Sequence, residues 1–173
     1  MSHLAILEKA QRDNIQKLLI LEDDLYFSNQ FQTKEAEIIE YLKKNPWGMI
    51  YLGHCISSDE LSSELVQEYS DSLKCSHFVG FHRSAIDLLV PYLKAILQRA
   101  PGDPDGGPMH VDGAYNRFRH DHQIITLVVN SSLGMQRPSR SDVAPLKWYD
   151  KVHFLRWLVY ASRRIKQLIT NKI

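Results

Sequence analysis

Three consecutive carboxylates, Glu22, Asp23 and Asp24, follow the apolar run 18–21. A short unbroken apolar run predicts a strand that is buried on both faces, as in parallel sheets. Because an ionised carboxylate is costly to bury unpaired, these acids should lie where the strand leaves the sheet, at the edge where α/β proteins bind ligands. Clustered carboxylate oxygens suit a divalent cation that also holds a phosphate. A solvated acidic turn explains the same spacing equally well.

Apolar periodicity predicts the elements that would position these acids. Helical spacing or strand-length apolar runs indicate helices over 3–16, 34–44, 84–96 and 111–119, and strands over 17–21, 47–52, 76–82 and 124–129. Pro91 should kink the third helix or begin a new first turn, and residues 130–142 are predicted to be irregular. Alternating strands and helices favour an α/β fold with a mostly parallel sheet flanked by helices. Three or four strands are few for such a sheet.

The composition excludes several classes of protein. The chain has 173 residues, 44% of them hydrophobic and 24% charged, which is ordinary for one globular domain. No apolar run approaches the roughly 20 residues that span a bilayer, and the first residues carry no secretory signal. Cys55 and Cys75 are too few for a disulfide framework and match no metal motif, so we expect buried free thiols in a reducing compartment.

The end of the chain differs from the rest in charge. From Lys147 onward there are seven basic side chains and one acidic one, although the whole chain has a net charge of only +1. From Lys151 an amphipathic helix is predicted, with interfacial aromatics beside it. We expect residues 148–172 to form a peripheral contact with an anionic membrane surface. The alternative is a helix that docks on the body of the protein by the same apolar face.

Several segments stand in an order that resembles glycosyltransferase family 25, the lipooligosaccharide-type β-galactosyltransferases, which include the collagen galactosyltransferases. The segments are SHLA at 2–5, LILEDD at 19–24, IYLG at 50–53, the strand at His77 with a helix behind it, Val111-Asp112, and Gln136 with Ser141-Asp142. The resemblance covers residues 2 to about 143 and leaves out the basic tail. We therefore expect a family domain over 1–145 and a C-terminal helix over 146–173.

The resemblance implies a GT-A-like fold and transfer of a sugar, with inversion, from a UDP-sugar, typically UDP-galactose. The acceptor would be a saccharide or glycolipid of cell-surface lipopolysaccharide, made in the cytoplasm or at the inner face of the plasma membrane. Mn²⁺ or Mg²⁺ would bridge the donor phosphates, with Asp24 as the first ligand and Asp23 beside it. The residues implied to contact the donor are His3, Glu22, Asp23, Gln136, Ser141 and Asp142.

Inverting transfer also needs a general base for the acceptor hydroxyl. Asp112 is the candidate, because it follows a Gly/Pro-rich loop and should begin a helix that is open to an acceptor. Capping of that helix is an equally good explanation of a single Asp there. For His3, a structural hydrogen bond is as good an explanation as contact with phosphate. For His54 and His77 we favour structural roles.

One departure from the family pattern bears on activity. Family members normally begin with a strand–helix–strand portion ahead of the SHL helix, which helps to hold the nucleotide base, whereas this sequence starts at that helix. The sequence therefore looks N-terminally truncated, and the alternative to an enzyme is a non-catalytic module that binds a partner or a membrane. A phosphohydrolase has less support, because there is no second acidic motif and no phosphate-cradling loop. We expect no nucleic-acid partner.

Overall fold

The structure is a computed structural model that describes residues 3–137. Within that range the helices are α1 (His3–Arg12), α2 (Phe31–Lys44), α3 (Arg83–Gln98) and α4 (Val111–Asp121), with a 3-10 turn at Ser58–Glu60. The strands are β1 (Lys17–Leu21), β2 (Leu25–Phe27), β3 (Met49–Tyr51), β4 (Val66–Glu68), β5 (Phe78–His82), β6 (Thr126–Val129) and β7 (Gly134–Gln136). The elements up to Met135 lie in one compact unit. The α/β prediction is confirmed.

The main sheet has five strands in the order β1-β5-β3-β6-β4, and β2 pairs with β7 in a separate two-stranded sheet. Within the five-stranded sheet only β3 and β6 are parallel neighbours, whereas β1 and β3 both run antiparallel to β5, and β4 runs antiparallel to β6. The prediction of a mostly parallel sheet is therefore wrong. Parallel neighbours need a long crossover, usually a helix, and the stretch between β3 and β5 contains only the 3-10 turn and β4.

Helices cover the two faces of the sheet unequally. On one face α1, α3 and α4 pack against alternate strand residues in a large apolar cluster that includes Val79, Phe81 and Val128. On the other face α2 contributes its one buried residue, Ile38, to a smaller cluster with Ile50 and Phe78. The side of the sheet that carries α1, α3 and α4 is therefore the better covered one.

Strand β1 is an edge strand, which corrects the prediction that it is buried on both faces. Ile20 is 3% exposed, whereas its neighbours Leu19 and Leu21 are 45% and 44% exposed. Successive side chains of a strand point to opposite faces, so Ile20 faces the large cluster. Leu19 and Leu21 face the side of α2, and they lie outside the cluster to which α2 contributes. An apolar run alone does not distinguish an edge strand from a central one.

Three local predictions differ from the structure. Of the two effects predicted for Pro91, the start of a new first turn is wrong, because Pro91 lies inside α3, which continues to Gln98. Helix α1 ends at Arg12 rather than 16, and Asn14 adopts a φ of 56°, the left-handed conformation that closes helices. Strand β7 occupies part of the stretch 130–142 that was predicted to be irregular.

No helix among residues 3–137 is long and apolar enough to cross a membrane. The basic amphipathic helix predicted within 146–173 lies outside the described residues, and so does the membrane contact predicted for 148–172.

Candidate functional site at the carboxyl ends of three strands

One edge of the sheet collects the chemistry-bearing residues. Strands β1, β3 and β6 run in the same direction, because each of β1 and β3 opposes β5 and β3 is parallel to β6. Their carboxyl ends therefore meet at one edge, together with the beginning of β5. Backbone hydrogen bonds tie this edge together, from Glu22 to the carbonyl of His77 (3.0 Å) and from Leu133 to the carbonyl of Leu52 (2.7 Å). Ligands of open α/β sheets bind outside such an edge.

The acidic residues form a tight turn between β1 and β2. The Leu25 N–H donates to the carbonyl of Glu22 at 3.1 Å, which closes the turn around Asp23 and Asp24. Asp23 is exposed, whereas Glu22 and Asp24 are half-buried. The turn places all three carboxyls within four residues at the sheet edge, as the sequence predicts.

His3 connects the start of α1 to this turn and to α4. Its Nδ1 lies 2.8 Å from the hydroxyl of Tyr115, and its Nε2 lies 3.7 Å from Glu22 Oε1. Burial lowers the pKa of His3, although the negative charge of Asp112 partly opposes this. The pKa of Tyr115 is raised, chiefly by burial, so its hydroxyl keeps the proton and can donate to Nδ1. The contact with Glu22 is then one between a neutral imidazole and a carboxylate rather than an ion pair.

Asp112 lies in the first turn of α4 and points to the segment before β5. Its Oδ2 accepts the backbone N–H of Cys75 at 3.0 Å, and its Oδ1 accepts the hydroxyl of Ser76 at 2.7 Å. The N-cap position belongs to His110, which makes no side-chain cap bond. Asp112 is therefore bonded across to another element. Each carboxylate oxygen has a second lone pair, so the group can still accept a further hydrogen bond.

A polar stripe on α4 holds residues 69–76 in place. Asp112, Asn116 and Arg119 follow one another at helical spacing. Asn116 accepts the N–H of Leu73 (2.8 Å) and donates to its carbonyl (2.7 Å). Arg119, which is 6% exposed, donates to the carbonyls of Tyr69 and Asp71 and to the hydroxyl of Thr126. The stripe fixes the chain that leads into β5 and therefore fixes Cys75 and Ser76 against Asp112.

The two cysteines also meet at this edge. Cys55 Sγ and Cys75 Sγ are 2.8 Å apart, and both are free thiols. Cys55 is exposed and Cys75 is half-buried, so the expectation of buried thiols is wrong. Cys75 has a φ of 74°, a left-handed conformation that is uncommon for a residue with a side chain.

Two buried histidines at the same edge form hydrogen bonds to backbone carbonyls. His54 Nε2 donates to the carbonyl of Val129 at 2.8 Å, and His77 Nε2 donates to that of Gly134 at 3.0 Å. Gly53 leaves the room that His77 needs, because a Cβ there would lie 2.5 Å from His77 Nε2. These contacts support the structural roles favoured for both histidines.

A cavity of about 380 Å³ opens at the other end of the sheet, near the start of β6. Residues that line it include Tyr69, Arg119 and Gln123. Because the guanidinium of Arg119 already donates to protein groups, this cavity offers little chemistry and lies away from the carboxyl-end site.

The donor set of the turn suits a hard cation, but the number of ligands is small. Among residues 3–137 no group of three or more His, Cys, Asp or Glu side chains is placed to hold a metal ion. Carboxylate oxygens are nevertheless the ligands that Mg²⁺ and Mn²⁺ prefer, and Mg²⁺ is commonly held by one or two carboxylates together with substrate phosphates. A cation that arrived with a diphosphate would meet the carboxylates of Asp23 and Asp24 at this turn.

The fold brings some of the predicted site residues together. His3 lies 3.7 Å from Glu22, the charge of Asp112 acts on the pKa of His3, and Asp23 and Asp24 share the turn with Glu22. Gln136 is exposed at the end of β7. Ser141 and Asp142 lie outside the described residues.

Sequence reasoning missed three side chains of this edge: Tyr115, Ser76 and Asn116. Tyr115 is three residues after Asp112, so the helical period alone could have placed it on the same face. The pairing of Ser76 with Asp112 joins residues 36 apart, and no local pattern indicates it.

Comparison with known families matches residues 1–79 to the model of glycosyltransferase family 25, described as LPS biosynthesis protein. The matched segment contains α1, the acidic turn, α2 and β3, so the resemblance is confirmed for this part of the chain. The matched segment is less than half of the 173 residues. Residues from 80 onward, including Asp112, lie outside it. No curated protein matches the chain.

Proposed function

We propose that this protein transfers a sugar from a nucleotide-diphosphate donor to a saccharide or glycolipid acceptor in lipopolysaccharide biosynthesis, using a GT-A-like site at the carboxyl ends of β1, β3 and β6. One observation carries the proposal. The family match contains His3 and Glu22, which lie 3.7 Å apart, and His3 also contacts Tyr115, one helical turn after Asp112 on α4 and outside the match. An inverting transfer requires a general base, and the candidate base Asp112 lies at the same edge of the sheet as the acidic turn.

The donor is a UDP-sugar, with galactose as the first sugar to test. Its diphosphate lies at the turn that contains Asp23 and Asp24, and a Mn²⁺ or Mg²⁺ ion held there would offset the charge of the leaving diphosphate. The neutral ring of His3 supplies an N–H donor beside Glu22. The resemblance also implies donor contacts for Gln136, the last residue of β7, and for Ser141 and Asp142, which lie outside the described residues.

Asp112 acts as the general base. As the acceptor oxygen attacks the anomeric carbon, the hydroxyl proton passes to a free lone pair of the carboxylate, and the bond from that carbon to the diphosphate oxygen breaks. Attack from the face opposite the leaving group gives inversion. The hydrogen bonds from Cys75 and Ser76 fix the orientation of the carboxylate, so that little reorganisation is needed in the transition state.

The first test is a thermal-shift screen of UDP-sugars and other nucleotide sugars, each with and without Mn²⁺. A donor that binds the folded chain should raise its melting temperature by mass action, and that donor is then used to assay release of UDP with saccharide acceptors. Asp24→Asn should remove the shift, whereas Glu37→Gln, a change at an exposed glutamate of α2, should retain it. No shift with any donor and no release of UDP would refute the proposal.

A second candidate function is a non-catalytic module that binds a partner or a membrane. The observation that favours it is that both oxygens of Asp112 already bond to protein groups, so the carboxylate has a sufficient structural role. Sugar transfer by the purified chain excludes this candidate. Donor binding without turnover supports it.

A further inference from the structure

The thiols of Cys55 and Cys75 are not used by the proposed transfer, yet the fold brings their sulfur atoms to 2.8 Å. The sulfurs of a disulfide are about 2.05 Å apart, so an approach of about 0.8 Å would join them. The two residues are 20 positions apart and lie on the connections that follow β3 and precede β5. Their proximity is therefore a product of the fold and not of local sequence.

We propose that Cys55 and Cys75 form a reversible disulfide, a modification site that locks the segment before β5 against Asp112. The inference does not rest on sugar transfer. It rests on the contact between the sulfurs, on the exposure of Cys55, and on the hydrogen bond from the Cys75 N–H to Asp112.

The two thiols have different chemical roles. Cys55 is exposed to solvent, and its pKa is lowered to about 7, first because the Cys75 thiol donates to it and also because Lys74 is near. A thiolate at Cys55 is therefore available to attack near neutral pH. The hydrogen bond to Cys55 and burial raise the pKa of Cys75, so Cys75 keeps its proton and reacts second.

The reaction is thiol–disulfide exchange with a low-molecular-weight disulfide as the oxidant. The Cys55 thiolate attacks one sulfur of the oxidant, whose S–S bond breaks and releases one thiolate. Cys55 then carries no charge, so its hydrogen bond with Cys75, the largest cause that raises the pKa of Cys75, is lost. Cys75 loses its proton, and its thiolate attacks the Cys55 sulfur. The bond between Cys55 and the remaining half of the oxidant breaks, and that half leaves as the second thiolate. Two protein thiols are oxidised, one small disulfide is reduced to two thiols, and the two protons end on those thiols.

The bond would close a loop from Cys55 to Cys75 that contains the 3-10 turn and β4. In the reduced protein the left-handed backbone at Cys75 is held by Asp112 and, through Leu73, by Asn116. A covalent link adds a tether to this segment and restricts the unfolded chain. We expect oxidation to raise the melting temperature by roughly 5–10 °C.

The experiment equilibrates the full chain with graded mixtures of reduced and oxidised glutathione, traps free thiols with N-ethylmaleimide and digests with trypsin without reduction. Cleavage after Lys44, Lys74 and Arg83 separates the two cysteines into peptides 45–74 and 75–83. We expect these peptides to be joined, with a mass two hydrogens below their sum, in a monomer. The rise in melting temperature should disappear on adding dithiothreitol.

Cys55→Ser and Cys75→Ser are the matched variants, because both sites tolerate a polar group, being exposed and half-buried respectively. Each variant should melt at the temperature of the reduced parent in every glutathione mixture. This result would assign the rise in melting temperature of the parent to the disulfide and not to a change in packing. Alkylation of both cysteines after equilibration with oxidised glutathione would overturn the inference, and so would recovery of only glutathione adducts or of dimers between chains. None of these readouts requires a sugar donor, so failure here leaves the proposed transfer untouched.

Discussion

The backbone N–H of Cys75 donates to Asp112 Oδ2 at 3.0 Å, across 37 residues of chain. Together with the hydrogen bond from the Ser76 hydroxyl to Oδ1, this bond joins the start of α4 to the segment before β5 at the sheet edge. Residues 75 and 76 thus orient Asp112, the candidate base, and Asp112 in turn fixes their position. Catalytic and structural roles of Asp112 must be separated by experiment.

Asp112→Asn and Asn116→Ala separate those roles. Both variants weaken the attachment of residues 69–76 to α4, and each should lower the free energy of unfolding by about 1–3 kcal/mol. Only Asp112→Asn removes a base, so it should lower kcat by about 10²-fold or more, while Asn116→Ala should leave kcat nearly unchanged. The measurements are urea unfolding and release of UDP. Equal losses of kcat in the two variants would assign Asp112 a positioning role.

Stability should fall as the pH is lowered through the range where histidines titrate. His54 is neutral in the fold because it is buried and because its Nδ1 accepts the N–H of Ile56. The hydrogen bond from its Nε2 to the carbonyl of Val129 acts in the opposite direction and raises its pKa. Burial is the largest cause that lowers its pKa, and the neighbouring His77 adds to this. The unfolded chain therefore binds more protons below about pH 6.5, and stability is lost from there down to the folded pKa, at up to about 1.4 kcal/mol per pH unit.

Urea unfolding between pH 5 and 8 measures this slope for the parent, His54→Gln and His120→Gln. His54→Gln should have a shallower slope than the parent, although His3, whose pKa is also lowered by burial, keeps part of it. His120, whose side chain is 91% exposed, is the control and should leave the slope as it is. An unchanged slope in His54→Gln would contradict the role assigned to His54.

The placement of β1 at the sheet edge predicts unequal effects of neighbouring truncations. Ile20→Ala should cost about 2–4 kcal/mol, because it leaves a cavity beneath a side chain that is 3% exposed. Leu21→Ala, one residue on and 44% exposed, should cost less than about 1 kcal/mol. Urea unfolding of both variants measures the difference. Equal costs would mean that the face of Leu21 is covered in the protein in solution.

Much of the fold could be predicted from periodicity. The bounds of β1 agree with the predicted strand 17–21, and α4 begins at the predicted Val111, because the apolar periodicity of each segment is a local signal. The pairing of strands could not be predicted, since β5 lies between β1 and β3 through contacts distant in sequence. The edge exposure of Leu19 and Leu21 was missed for the same reason.

The candidate site was predictable in its parts and not in its arrangement. Three adjacent acids after a strand indicate a site at the carboxyl edge of the sheet, and the acidic turn between β1 and β2 lies at that edge. The hydrogen bonds that orient Asp112 come from Cys75 and Ser76, on a segment with no clear period. The contact between Cys55 and Cys75 likewise follows from how two irregular connections pack, which composition cannot reveal.

Binding of UDP tests the central claim, that the acidic turn holds a donor diphosphate through a divalent cation. Isothermal titration calorimetry with and without Mn²⁺ compares the parent with Asp24→Asn and with the control Glu37→Gln. We expect the parent and the control to bind UDP only with Mn²⁺, and Asp24→Asn to bind at least about tenfold more weakly, a loss of about 1.4 kcal/mol. Binding of equal strength by Asp24→Asn, or no binding by the parent in Mn²⁺, would contradict the account.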